Sequence, residues 1–301
     1  MGGNVFSMAG PIKKEHIKPT LKEFYRELGK VFPNAKKYFK GIKPLGSVGK
    51  KAVSGDIDLA LSGSSVIKID DWGLDRDQVL EDFRTFKKRS RSATNKQLIK
   101  RAIIVNIAQR LNSKSSLIST DVKGSASGTL FLAFPQYDEN GNDIGKHVQV
   151  DVNVGDLDWL TFSYYSISYK GNVKGLHRTQ LMLALFTEKG YTFSHNYGVK
   201  NKKTQEIVAS NPEEAVTLLN KLYGIKLTTS TIADYFKLIN IITKGLSKSD
   251  LRNILDRYLR ILDGTRADIP TNLHSYWIKN KKRIGLTGKY LPDSSELQNY
   301  V

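Results

Sequence analysis

Apolar residues along this chain recur with two different periods, and the alternation between them predicts its elements. Near the start, Leu21, Phe24, Tyr25 and Leu28 follow helical spacing behind Thr20-x-x-Glu23, a capping box, and Gly29 suits the helix end. Phe32-Pro33-Asn34 breaks the pattern, and a second short helix is expected over 35–39. A strand then runs to about Leu61 and stops in Ser62-Gly63-Ser64-Ser65. Residues 70–116 read as a helical insertion. Val79, Leu80, Phe83 and Phe86 form one stripe, and Thr94-x-x-Gln97 caps a helix with Leu98, Ala102, Val105, Ala108 and Leu111 inward. Lys96, Lys100, Arg101 and Arg110 lie on its opposite face, which is expected to be solvated or to track a phosphate backbone.

From Leu117 the period becomes two. Strands are expected over 117–122, 129–134 and 147–154, the last pair joined by a hairpin through Asn140-Gly141. Val148, Val150, Val152 and Val154 alternate with Gln149, Asp151 and Asn153. Helical spacing then returns. Asn211-Pro212-Glu213-Glu214 opens a helix that Gly224 closes; two more are expected over 231–244 and 249–262. The basic, aromatic stretch from Pro270, with Tyr276, Trp277 and Lys279 to Arg283, suits equally a nucleic-acid contact and a helix docked on the core. The whole reads as an α+β fold of two parts, 1–165 with the sheet and 166–301 mainly helical.

The richest chemistry lies in 45–60. Gly46-Ser47 is a small-residue turn that lets backbone N–H groups and a hydroxyl approach phosphate oxygens. Lys50 and Lys51 follow, either of them able to neutralise phosphate charge while its neighbour points to solvent. Asp56 and Asp58, two apart, point to one face of a strand whose Ile57 and Leu59 enter the core. Two carboxylates beside such a turn are what Mg²⁺ bridging a nucleotide needs. Asp151 is a lone acid between two valines on a strand's polar face. Asp156 and Asp158 are its rivals, but they follow Gly155 near the strand's end, where a turn role suits them better.

Gly46-Ser47, eight residues, then Asp56-Ile57-Asp58-Leu59 resembles the signature of the DNA polymerase β-like nucleotidyltransferase superfamily, and is most similar to the family X DNA polymerases. Val150-Asp151-Val152 matches the single-carboxylate strand of that pattern. Residues 170–178 resemble more faintly the segment that contacts the incoming nucleotide in that family, with Lys170 and Asn172 departing from it, and 181–223 resembles its thumb. The resemblance implies a nucleotidyltransferase palm carrying a helical insertion. It implies two Mg²⁺ ions, with Mn²⁺ as a substitute, on Asp56, Asp58 and Asp151; Asp151 would serve the metal that activates the attacking hydroxyl. Gly46, Ser47 and Lys50 or Lys51 would hold the triphosphate, and Arg178 is a further candidate for substrate contact. The implied reaction adds nucleotides from an NTP or dNTP to a nucleic-acid 3′ hydroxyl.

Charge sharpens the choice of acceptor. Lys and Arg number 47 against 29 Asp and Glu, a net +18, which draws polyanions and argues against small-molecule acceptors. Clusters at 87–91, 200–203 and 279–283 carry much of it. The absence of cysteine excludes disulfides and thiolate-bound zinc, and the five scattered histidines suggest packing rather than ligation. No apolar run of about 18 residues and no signal-peptide core is present, so a soluble, intracellular protein without a membrane partner is expected. Transfer to a tRNA end, a protein or a small molecule is the alternative, as is a nucleic-acid-binding protein with an inactive palm.

Overall fold

The computed structural model describes residues 5–90, 93–165, 167 and 173–286. The chain divides into two compact units, Met1–Thr161 and Phe162–Val301, and its fold is α+β.

In the first unit, helix α1 (Lys14–Val31) precedes strands β1 (Lys43–Pro44) and β2 (Ile57–Ser62). Helices α2 (Arg76–Arg89) and α3 (Asn95–Lys114) follow, then β3 (Ser119–Thr120), β4 (Thr129–Tyr137) and β5 (Asp143–Gly155). These strands form one mixed sheet in the order β1-β2-β5-β4-β3, in which only β2 and β5 run parallel. Period-two alternation gives β5 two unlike faces. Val148, Val150, Val152 and Val154 are buried in the core with Phe24 and Leu28 of α1 and Ile104 and Ile107 of α3. Gln149, Asp151 and Asn153 point the other way. Ile57, Leu59 and Leu61 of β2 join the same core, which leaves Asp58 on the polar face. At roughly 25 cal/mol per Å² of apolar surface, it is this valine-rich face that fixes the register, because a one-residue slip would bury Asp58 and Asp151 in place of Leu59 and Val152.

Several expected elements have other boundaries. Helix α1 begins at Lys14, and Thr20 lies inside it. Its hydroxyl accepts from the Tyr137 N–H at 2.9 Å, so the apparent capping box is a tie to β4. The helix also runs past Gly29 to Val31. The strand expected over 117–122 is only Ser119–Thr120, because Asp121 caps a short helix, Val122–Ser125, through the Gly124 N–H. Leu80, placed in the apolar stripe of α2, is exposed. The α3 capping box is formed as expected, Thr94 and Gln97 each accepting the other's N–H. Lys100, expected on a solvated face, instead donates to the Val154 carbonyl at 2.8 Å.

In the second unit, α4 (Gly175–Glu188) packs on α8 (Lys248–Gly264). Strands β6 (Tyr191–Ser194), β7 (Gly198–Asn201) and β8 (Ile207–Ala209) form an antiparallel sheet with β7 in the middle. Helix α5 (Pro212–Tyr223) has the expected ends: Asn211 accepts the Glu214 N–H, and Gly224 turns left-handed at φ 64°. The single helix expected over 231–244 is two, Thr229–Ala233 (α6) and Tyr235–Gly245 (α7). Asp234 separates them because its extended backbone and carboxylate cap the second. Helix α9 (His274–Ile284) docks Trp277 on the core, and Arg283 and Tyr276 both bond Asp256 of α8. No described helix is long and apolar enough to cross a membrane.

Candidate active site

The parallel pairing of β2 with β5 sets Asp58 directly opposite Asp151. Neighbouring strands lie about 4.8 Å apart, so two carboxylates in register on one face are close by construction. Asp56 precedes β2 in the bend at Gly55-Asp56, just outside the strand on which the sequence placed it. Asp151 is 7% exposed, and Asp56 and Asp58 are half-buried.

Burial and like charge act together here. Burial, and then the charges of Asp56 and Asp151, push the Asp58 carboxyl up to about 8. Asp151 is pushed up to about 6, by burial first and Asp56 second, against a hydrogen bond from Gln149 that lowers it. Burial raises Asp56 as well. Among the described residues none of the three carboxylates has an ion-pair partner. Such a cluster costs free energy in its ionised form until a cation arrives.

Two buried amides that the sequence reading passed over hold the carboxylates in place. Gln149, 2% exposed, donates Nε2–H to Asp151 Oδ1 at 2.8 Å. Its Oε1 accepts the Val5 N–H at 3.0 Å, which fixes the amide orientation. Asn153, 1% exposed, donates to the Asp58 carboxylate and accepts from the Thr129 hydroxyl at 3.1 Å. The signal for them was the same alternation that exposed Asp151, since polar residues between four buried valines must share its face. Asp156 takes the turn role expected of it, accepting the Trp159 N–H at 2.9 Å at the start of the helix Leu157–Ser163.

The Gly46-Ser47 turn leaves β1 and is tied to the carboxylate strand, the Leu45 N–H donating to the Asp58 carbonyl at 2.8 Å. Gly46 has φ 58°, the left-handed region where a Cβ would strain. The N–H groups of Gly46 and Ser47 find no acceptor among the described residues. Lys50 closes the turn through its N–H to the Ser47 carbonyl, and Lys51 follows. Burial holds the Lys50 ammonium below the usual lysine range. The first unit thus brings Gly46, Ser47, Asp56, Asp58 and Asp151 to one region of the sheet, with Lys50 and Lys51 on the adjoining turn.

Arg178 belongs to the second unit and has a different environment. It is fully buried in α4, donating Nε–H to the Ile232 carbonyl at 2.9 Å and Nη1–H to the Ser163 carbonyl at 3.3 Å. The guanidinium also lies over the Phe162 ring, 5.0 Å from its centroid. These contacts make it a strut between segments of the unit. Residues 170–172, the start of the nucleotide-segment resemblance, lie outside the described residues.

The donor chemistry of the carboxylate set suits a hard divalent cation: all-oxygen donors, partly desolvated and without an ion pair among the described residues. Among the described residues no three His, Asp or Glu side chains are placed to hold a metal ion together. The remaining ligands of any ion would therefore come from water or from a bound phosphate, the usual arrangement for Mg²⁺. No family model matches this chain, and no curated protein matches it either.

Proposed function

We propose that this protein is a metal-dependent nucleotidyltransferase that adds nucleotides from an NTP or dNTP to the 3′ hydroxyl of a nucleic acid. The observation carrying this reading is the register of Asp58 against Asp151, two facing acids bonded through Leu45 to a turn whose Gly46 and Ser47 N–H groups find no acceptor among the described residues. Gly46 and Ser47 would donate those N–H groups to triphosphate oxygens, and Lys50 or Lys51 would offset the phosphate charge. Asp56, Asp58 and Asp151 would hold two Mg²⁺ ions, which when bound acidify the attacking hydroxyl and neutralise pyrophosphate. Asp151 would serve the ion that activates the attacking hydroxyl, whose proton passes to solvent. The oxygen–phosphorus bond to the α-phosphate forms as the bond to the departing pyrophosphate breaks. Gln149 and Asn153 would keep both acids aimed through the exchange. The net charge of +18 supports a nucleic-acid acceptor.

The test is transfer of α-labelled NTPs and dNTPs to single-stranded DNA, primed DNA, RNA and bulk tRNA in Mg²⁺. Labelling of an acceptor that disappears in Asp56→Ala/Asp58→Ala supports the proposal. Binding without transfer to any acceptor, or equal transfer by the variant, refutes it.

A further inference from the structure

Helices α2 and α3 of the first unit form a hairpin that the polymerase resemblance does not reach. Helix α2 ends at Arg89 and α3 begins at Asn95. The Asn106 amide donates to the Asp82 carboxylate at 2.8 Å, so the two helices run back along one another. From that tie it is about 10 Å to the end of α2 and about 15 Å to the start of α3, which brings both ends to one tip. Arg84, Lys88 and Arg89 of α2 and Lys96 of α3 are exposed there. None of these, nor Arg101, has an ion-pair or hydrogen-bond partner among the described residues. Lys87 stands beside them with its ammonium over the Phe83 ring.

The chain supplies this tip with no local counter-charge, since residues 83–120 hold ten Lys and Arg and no Asp or Glu. Burial first, and then the like charges of Arg101 and Lys96, holds the Lys100 ammonium down at about 8. Lys96, Lys100 and Arg101 also occupy the first two turns of α3, the end at which the helix dipole favours acids. Cations placed there oppose both the dipole and one another, a cost to the fold that a bound polyanion would relieve. Lys100 bonds the Val154 carbonyl, three residues beyond Asp151 on β5 and about 10 Å along that strand. The cations therefore border the far end of the carboxylate strand within the same unit.

We infer that this tip holds the phosphate backbone of a double-helical nucleic acid. Phe83 and Phe86, the aromatic residues of α2, pack on the core, so the surface offers charge rather than a stacking face. Binding by charge alone follows phosphate density: a duplex carries one charge per about 1.7 Å of axis, a single strand one per about 3.4 Å. Single strands are gripped instead by stacking their bases. Leu80 is the one exposed large hydrophobic residue among those described on the two helices, too little for an amphipathic helix lying in a membrane. The inference rests on the proposed function only for the presence of a nucleic acid. It concerns binding alone and is read without metal or nucleotide.

Fluorescence anisotropy with labelled DNA and RNA duplexes of about 20 base pairs, and with each strand alone, tests it in EDTA over a KCl series. Lys88→Gln/Arg89→Gln/Lys96→Gln is expected to weaken duplex binding roughly 10-fold or more in about 100 mM KCl, and to flatten the slope of log affinity against log salt by about 2.7. Lys202→Gln/Lys203→Gln/Lys282→Gln removes the same charge from exposed positions of the second unit and is expected to weaken binding less than about threefold. Lys88→Arg/Arg89→Lys/Lys96→Arg keeps the charge and is expected to bind as wild type. All six positions are exposed, and matching thermal melts would show the variants folded. Equal losses in the two glutamine variants would make net charge the cause and overturn the inference. So would tip-dependent binding as tight to single strands as to duplex, tip-dependent binding confined to phosphatidylserine vesicles, or a wild-type protein that binds neither duplex. Transfer with duplex binding unaffected by the tip variant defeats the tip alone; tip-dependent duplex binding without transfer defeats the proposed reaction alone.

Discussion

Asp58→Asn should make the metal-free protein more stable while removing its activity. Burial and the facing acids hold the Asp58 carboxyl at about 8, against an ordinary 3.8. Because the folded value is the higher one, the folded state favours the protonated group. Stability from that preference is complete below the unfolded pKa and is lost as pH rises through 4 towards 8. Keeping the group ionised in the fold costs at most about 5–6 kcal/mol at pH 8.5. Water reaching this half-buried site screens part of that cost, leaving about 3 kcal/mol as a working figure. Asparagine keeps the shape and can still accept from Asn153, so it removes the cost without opening a cavity. For a unit of this size the gain corresponds to a rise in Tm of roughly 6–12 °C at pH 8.5. At pH 5.5 it shrinks to about 2 kcal/mol. Differential scanning calorimetry of both proteins in EDTA at the two pH values measures this. Added Mg²⁺ should then raise the wild-type Tm and leave the variant's nearly unchanged. A variant less stable than wild type at pH 8.5, or a difference independent of pH, would refute the electrostatic account of the site.

The other predictions concern the groups around it. Gln149→Leu removes the donor to Asp151 Oδ1, a bond to a charged acceptor worth about 1.5–3 kcal/mol. The acid limb of the pH–rate profile should move up by about 1–2 pH units, with little change in KM for the nucleotide; an unmoved limb contradicts the positioning role. Arg178→Met should destabilise the protein by about 2–4 kcal/mol in urea, because the Ile232 and Ser163 carbonyls lose the guanidinium, Ser163 keeping the Thr179 hydroxyl. Unchanged stability with a raised KM would instead make Arg178 a substrate contact.

Local patterns made much of the fold legible. The four valines of 148–154 and the polar residues between them were readable because burying one face of a strand leaves no freedom in the other. Capping at Thr94 and at Asn211 with Pro212 held because each side chain bonds a backbone N–H three positions on, a partner that the local pattern contains. Thr20 misled for the opposite reason: its hydroxyl serves the Tyr137 backbone, 117 positions away, and no local pattern contains that partner. Lys100 belongs to the same class, a helical cation whose hydrogen bond is to the end of a distant strand and whose ammonium burial lowers to about 8. Within the site, the acids and the Gly46-Ser47 turn were legible as residue types at a spacing. The facing of Asp58 with Asp151 was not, because it follows from the parallel register of two strands joined through the helical insertion and a hairpin. Nor was the anchoring of Gln149 by Val5, a bond spanning 144 positions.

Anomalous diffraction from crystals grown with Mn²⁺ and an NTP analogue non-hydrolysable between its α- and β-phosphates tests the central claim most directly. The account predicts manganese peaks between Asp58, Asp56 and Asp151, with the triphosphate oxygens on the Gly46 and Ser47 N–H groups. Manganese bound elsewhere with these three carboxylates empty, or a triphosphate held away from that turn, would contradict it.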